Sequence, residues 1–305
     1  MARVLVVGAG VVGLSCAVRL LQDGHRVDVL ARDLPLETTS AVAGALWYPY
    51  RAYPFERVTG WSARSYEEFE HLAGIDGTGV QMVHGTEYHR APTTDPWWRE
   101  AVPALTRVSA LGGPYVDGWT FVAPVVEMPL YLPWLVKRLE SLGGTITRMA
   151  LKGMPDQADV VVNASGLGAR LLATDPAVQP VRGQVVYVDQ VGVDHWALDA
   201  AGPVYVVPRS RDVVVGGTDD EGDWSRTPDP HSAKLILERA TELVPGLARA
   251  RVLGHRVGLR PARPSVRLEA EQKDGTRIVH CYGHGGAGVT LSWGCAEDVA
   301  ALVRE

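Results

Sequence analysis

The sequence predicts an α/β fold: a nucleotide-binding domain assembled from distant segments, with an antiparallel-sheet domain inserted into it. Three observations carry that expectation. The chain opens on a strand, a glycine turn and a helix, Arg3 to Gln22, followed by a second short strand. It closes on the same order of elements, from Arg277 to Val303. Between the two, Gly183 to Asp189, Val204 to Val207 and Asp212 to Gly216 alternate as antiparallel strands do.

Arg3 to Val7 is a short β-branched run before glycines and reads as a fully buried strand. Val12 to Gln22 places Leu14, Ala17, Val18 and Leu21 on one helical face. Arg26 to Leu30 returns as a strand, and a strand–helix–strand unit implies a parallel sheet. Past Tyr50 the aromatics Trp61, Tyr66, Phe69, Trp97, Trp98 and Trp119 cluster. Ser62 to Ala73 is amphipathic, and Leu130 to Leu142 runs into Gly143-Gly144, a helix stop. Val160 to Val162 is another buried strand, followed by Ser165-Gly166. Pro208 to Arg211 reads as a hairpin turn and Ser232 to Val244 as a helix. Pro261 and Pro264 keep the stretch around Arg260 extended. Arg277 to Cys281 is a strand, Tyr282 to Gly288 a glycine loop, and Ser292 to Val303 the closing helix. The nucleotide domain is therefore expected over 1–50, 143–180 and 255–305, and the substrate domain over 51–142 and 181–254.

A chain of 305 residues, 46% hydrophobic, buries a substantial core without disulfides or metals. Its net charge of −5 and lack of a basic run exclude a nucleic-acid surface or an anionic-membrane patch. Cys16, Cys281 and Cys295 are an odd, sparse set without metal-ligand spacing, so free thiols in a reducing cytoplasm are expected. The apolar stretch Val4 to Leu21 is broken by Gly8, Gly10 and Gly13, which speaks against a signal or membrane helix. A monomer or a homodimer both fit.

Gly8-Ala9-Gly10-Val11-Val12-Gly13 sits between strand and helix, where a dinucleotide fingerprint belongs. The first glycine permits a tight turn, the second lets a pyrophosphate approach the backbone, and the third lets helix pack on strand. The helix N-terminus then faces the phosphate charge. At the end of the second strand stands Ala31-Arg32-Asp33. Arg32 suits the 2′-phosphate of NADP, whereas Asp33 suits a ribose hydroxyl one position late, so both cofactor classes stay open at this point. His280 and His284 stand four apart with no carboxylate at ligand spacing, and no metal site is expected. No Ser/His/Asp or CxxC arrangement is present.

The stretch Ile278 to Ala296 resembles the signature of the D-amino-acid oxidase family: an apolar pair, His280, Tyr282-Gly283, Gly285-Gly286, Gly288, Gly294 and Ala296, with Cys281 where Asn is common. Gly258 to Glu269, Ala45-Leu-Trp-Tyr-Pro49, Asp159 to Gly166, Arg182-Gly183-Gln184 and Val204 to Pro208 resemble the family in the same order. The resemblance implies an FAD-binding Rossmann-like domain of the glutathione-reductase type with an inserted antiparallel-sheet substrate domain. It implies non-covalent FAD, since no flavinylation motif is recognised, and partners limited to a small D-amino acid and molecular oxygen. In that chemistry the α-hydrogen leaves as hydride to flavin N5, and the products are a 2-oxo acid, ammonia and hydrogen peroxide. Glycine or sarcosine oxidation is the near alternative, and an NADP-dependent reductase the distant one.

Residue by residue, the resemblance makes Arg260 the carboxylate-binding arginine, with Tyr205 beside it and Gly286, Leu46 and Tyr48 in the pocket wall. A guanidinium fork suits bidentate capture of an α-carboxylate. It assigns FAD to Gly8 through Gly13, Arg32, Asp33, Thr38, Thr39, Ser40, Ala45, Leu46, Trp47, Val160, Ser165, Gly166, Arg260, Gly285, Gly286, Ala287, Gly288, Val289 and Thr290. The family's second active-site tyrosine would fall near Ala201 and is missing, so the Asp199 to Gly202 loop departs from the family's lid. An apolar pocket of Leu46, Tyr48, Tyr205 and Val207 favours neutral D-amino acids over D-aspartate, with Arg209 expected to point to solvent from its turn.

Overall fold

A computed structural model describes residues 1–273 and 275–305, with Ala110 in its backbone only. In chain order the elements are β1 (Arg3–Val7), α1 (Val11–Gln22), β2 (Arg26–Ala31), α2 (Phe55–Ala73), β3 (Val80–His89), β4 (Thr106–Gly112), β5 (Tyr115–Val126) and α3 (Met128–Ser141). There follow β6 (Thr145–Arg148), β7 (Val160–Asn163), α4 (Ala169–Leu172), β8 (Gln179–Asp189), β9 (Trp196–Asp199), β10 (Val204–Pro208) and β11 (Asp212–Gly216). The chain ends with β12 (Asp220–Glu221), α5 (Pro230–Leu243), β13 (Val252–Lys273), β14 (Thr276–His284) and α6 (Gly288–Arg304).

One continuous sheet runs through the molecule in the order β4-β5-β3-β9-β10-β11-β8-β13-β14-β7-β1-β2-β6, with β12 on β8. The end from β14 to β6 is parallel, as the opening strand–helix–strand unit predicts. Its central strands β1 and β7 are buried on both faces, which explains their valine runs, whereas β2 alternates and β6 is largely exposed. The other end is almost wholly antiparallel, apart from the parallel β3·β9 pair.

The long strand β13 joins the two ends. It pairs with β8 from Val252 to Ala262 and with β14 from Ala262 to Lys273. Its register to β14 shifts between Ala262 and Arg267, across Pro264, which has no N–H to give a ladder. Arg260 stands just before that irregularity, held in the β8 ladder opposite Val181.

Period-two alternation decides which antiparallel side chains reach the site. Val186, Val188, Val204, Val206, Val213 and Val215 pack under Ala233, Ile236, Ala240 and Leu243 of α5. Their neighbours Val185, Tyr205 and Val207 take the opposite face and line a cleft. On the parallel side α1 packs against α6 and α3, and α2 against α6.

Several element limits differ from the sequence reading, among them the start of β8, at Gln179 and not at Gly183. Strand β14 continues to His284, because His284 still pairs with Ala262, which leaves only Gly285 to Ala287 as the glycine loop. Helix α6 starts at Gly288 and not at Ser292. Helix α2 starts at Phe55, two turns early: Phe55, Glu56 and Arg57 are exposed, and the buried stripe begins only at Val58.

Candidate active site

A cleft of about 850 Å³ runs from the β1–α1 turn to the faces of β8 and β10. Its nucleotide-facing end is built by Gly8 to Val12, Arg32, Asp33 and Thr38 to Ser40, and its other end by Leu46, Tyr48, Tyr205, Val207 and Arg260. Ser165, Gly166, Gly285, Gly286 and Gly288 to Thr290 lie between them. Two helices, α1 and α6, begin here; neither N-cap residue caps its helix with a side chain, although Ser40 Oγ accepts from the first α1 N–H, that of Val11, at 3.0 Å. Such ends present partial positive charge to whatever occupies the cleft.

Arg260 is shaped by its neighbours. Its guanidinium lies flat over Gly183, where an added Cβ would stand 2.4 Å from Nη2. Nη1 donates to the Thr218 carbonyl at 2.9 Å and stands 3.7 Å from Asp219 Oδ1. Among the described residues that is the one hydrogen bond Arg260 makes in the cleft. A guanidinium has five N–H donors, so a fork remains for a carboxylate. Asp219 is itself shared, accepting from the Tyr50 hydroxyl at 2.8 Å and pairing with Arg51.

Tyr205 closes over Gly216, where a Cβ would meet the ring's Cζ at 2.1 Å. Burial pushes its phenol up, and the adjacent Arg260 pulls it partly back. The two groups thus face one space, a neutral donor beside a fixed cation. Across the cleft, Tyr48 donates to Glu87 Oε1 at 2.8 Å, and burial holds its phenol well above the ordinary tyrosine value.

Arg32 grips Asp33 with both arms, Nε to Oδ1 at 3.0 Å and Nη2 to Oδ2 at 2.6 Å. The Arg32 guanidinium holds the Asp33 carboxyl below its usual value. Paired in this way, Arg32 is not a free receptor for a 2′-phosphate.

The histidines of the glycine region are buried. His280 stands 3.2 Å from the Asn163 amide and 3.0 Å from Glu271, a carboxylate that the sequence spacing does not reveal. His284 lies against the cleft wall, where burial pushes it down to about 4. Cys281, His284 and Cys295 bring their ligand atoms within 4.8 Å of one another, a convergence hidden by their spacing in the chain. The Cys16 thiol pulls Cys281 down, but the Cys295 thiol and burial outweigh it and hold Cys281 well above its ordinary value; burial raises Cys295 and keeps His284 neutral. Protonated thiols are poor ligands and poor nucleophiles, so this wall is chemically quiet. All three cysteines are free.

A family model for FAD dependent oxidoreductases matches residues 3–302. The chain belongs to the FAD-dependent oxidoreductases. It is 52% identical to a D-amino-acid oxidase of Rubrobacter xylanophilus, over 99% of this chain and 95% of that protein. It is 44% identical to a D-amino-acid oxidase of Streptomyces coelicolor (98% and 96% covered) and 38% identical to a human D-aspartate oxidase (100% and 95%). Among solved structures, a glycine oxidase from Geobacillus kaustophilus shares the fold at TM-score 0.83 with 21% identity, covering 100% of this chain and 95% of that one.

For an FAD-dependent oxidoreductase the cleft has the features required. It is long, the N-termini of α1 and α6 line it, and its glycine turns admit close approach of a pyrophosphate. Most residues assigned by resemblance line it. Four stand back: Gly13 lies inside α1, Val160 within the sheet, and Trp47 and Ala287 are fully buried. Trp47 spends its indole N–H on the Ser62 carbonyl at 3.1 Å. Arg209 is a correction: it does not point to solvent but is buried, pairing with Asp212 at 2.6 Å over the Tyr187 ring. Its charge is thereby committed away from the cleft. The sequence reading missed Tyr50, Trp224 and Arg226, which line the cleft, and Asp219 and Glu87, which contact its walls. Tyr50, inside the matched Ala45-to-Pro49 neighbourhood, was the one within reach of a sequence signal.

No helix among the described residues is long and apolar enough to cross a membrane.

Proposed function

We propose that this FAD-dependent oxidoreductase oxidatively deaminates neutral D-amino acids, with FAD held non-covalently. The observation that carries the reading is the unspent guanidinium fork of Arg260, laid over Gly183 beside the Tyr205 hydroxyl. FAD, when bound, supplies a two-electron acceptor for the α-hydrogen and hands those electrons to oxygen, which leaves as hydrogen peroxide. Everything else is positioning. Arg260 takes the α-carboxylate bidentately, Tyr205 donates to the same group, and the carboxylate axis is thereby fixed. Leu46, Tyr48 and Val207 leave an apolar space for the side chain. With these contacts set, only one enantiomer turns its α-hydrogen toward the glycine loop at Gly286. The released imino acid then hydrolyses in water to a 2-oxo acid and ammonia.

Burying a second, unpaired carboxylate costs several kcal/mol, and Arg209 is already engaged by Asp212. D-Methionine, D-valine and D-phenylalanine are therefore expected to exceed D-alanine and glycine, with D-aspartate last. Peroxide release from this panel at matched concentration is the test. D-aspartate in the lead would overturn the pocket assignment, and glycine in the lead would favour the glycine-oxidase reading. Acid precipitation tests the cofactor linkage: the yellow colour is expected in the supernatant, and colour retained in the pellet would mean a covalent flavin. Three free buried cysteines suit a cytoplasmic enzyme. The cofactor half is taken as residues 1–50, 143–180 and 255–305.

A further inference from the structure

Behind the side-chain end of the cleft lies a buried carboxylate, Glu87, that the proposed reaction does not use. It is 4% exposed and comes from β3, opposite Leu198 of β9, which lines the cleft. Its Oε1 accepts from the Tyr48 hydroxyl at 2.8 Å and stands 3.2 Å from His89 Nε2. Its Oε2 has no partner. The hydrogen bond to Glu87 also raises His89 above its ordinary value.

Two other carboxylates stand nearby, and each is neutralised by a guanidinium. Asp199 is 2.6 Å from Arg90, and Asp117 is 2.6 Å from Arg107. Glu87 has no such partner: its sole cationic neighbour is the titratable His89, whose side chain is 19% exposed, among the described residues. Tyr48 spends its proton on Glu87, so toward the cleft its oxygen can act only as an acceptor. In a low-dielectric wall a charge reaches much farther than in water.

We infer that Glu87, acting through Tyr48, sets a negative potential at the side-chain end of the substrate pocket, so that it discriminates against acidic side chains and admits those ending in a cation or a hydrogen-bond donor. Glu87 is a specificity-setting residue in a positioning role, not a catalytic one. The inference rests on the substrate reading above, and it predicts substrate ratios that the reading alone does not.

The test uses the holoenzyme and three substrates of similar length: D-lysine, D-norleucine and D-glutamate, each read as kcat/KM by peroxide release. Glu87→Gln keeps the shape and the acceptor for Tyr48 but removes the charge. The D-lysine to D-norleucine ratio is expected to fall about tenfold, and the D-glutamate to D-norleucine ratio to rise about tenfold. D-Alanine, too short to reach Tyr48, is expected to be unchanged. His89→Gln makes the opposite change, since it removes the one side chain beside Glu87, among the described residues, that can take up a positive charge; the first ratio is expected to rise and the second to fall. A purely structural role would not move the two variants in opposite directions, and the His89 variant stands by itself if Glu87→Gln misfolds. Unchanged ratios in a folded, yellow variant overturn the inference while leaving the proposed activity intact. Absence of peroxide with D-norleucine and every other D-amino acid would instead overturn the activity.

Discussion

Replacing Gly183 by alanine tests the substrate geometry through a single methyl group. The new Cβ would stand 2.4 Å from Arg260 Nη2, 2.5 Å from Cζ and 2.6 Å from Nη1. Comfortable contact between such atoms is about 3.5–4.0 Å, so the guanidinium must lift by roughly 1 Å. It is the free end of a flexible side chain, so the backbone of β8 and β13 need not move and the fold is expected to survive. The carboxylate site, however, moves with the guanidinium. A displacement of about 1 Å in a positioning group costs on the order of 10²-fold in rate. The assay is steady-state kcat/KM for D-methionine, with flavin content and thermal midpoint as controls. A loss of about that size with flavin retained is the expected result. A kcat/KM equal to the wild type would refute the reasoning, because it would show that the arginine's place over Gly183 is not the place that binds substrate.

Other outcomes follow from the same structure. Arg260→Leu is expected to lower kcat/KM by about 30- to several-thousand-fold, as for loss of one partner of a buried charge pair, with the flavin spectrum intact. Arg267→Leu should leave kinetics alone and lower stability by about 1–3 kcal/mol in a denaturant titration, since Arg267 serves Tyr282, Glu269 and Glu271 and does not line the cleft. Equal kinetic losses in both would mean the carboxylate site is misplaced. His284 is held down to about 4 by burial, from an unperturbed 6.5. The stability gained by keeping it neutral is complete above the unfolded value and is lost as pH falls from about 6.5 through about 4, roughly 3 kcal/mol in all. Unfolding free energy measured from pH 7 to 4 should therefore fall less steeply in His284→Asn than in the wild type, and parallel curves would exclude this role.

The sequence was most legible where local chemistry and global fold agree. Gly8 to Gly13 between a valine strand and an apolar helix admitted one architecture, and Pro261 and Pro264 kept Arg260 on an extended segment. It was least legible where the site depends on strands brought together from far apart. Glu87 and Tyr48 meet across 39 positions, and Cys281 meets Cys295 only because β14 and α6 fold back on each other. Nothing in the chain around Arg209 shows that Asp212, three residues on, will turn it inward. The first two turns of α2 escaped for a different reason: their exposed residues and Gly60 show no helical stripe until Val58 and Trp61 are buried by α6. The Arg32-Asp33 ambiguity likewise required the observed side-chain pairing, since either residue alone fits a different cofactor.

The central claim is that the cleft presents the α-hydrogen of a neutral D-amino acid to a bound flavin. Anaerobic addition of D-methionine, and separately of L-methionine, to the purified yellow protein tests it without dependence on oxygen or on a coupled assay. Loss of the oxidised-flavin absorbance is predicted with D-methionine and not with L-methionine, and the Arg260→Leu protein should respond to neither at the same concentration. Equal bleaching by both enantiomers, or full bleaching of the Arg260→Leu protein, would contradict the account.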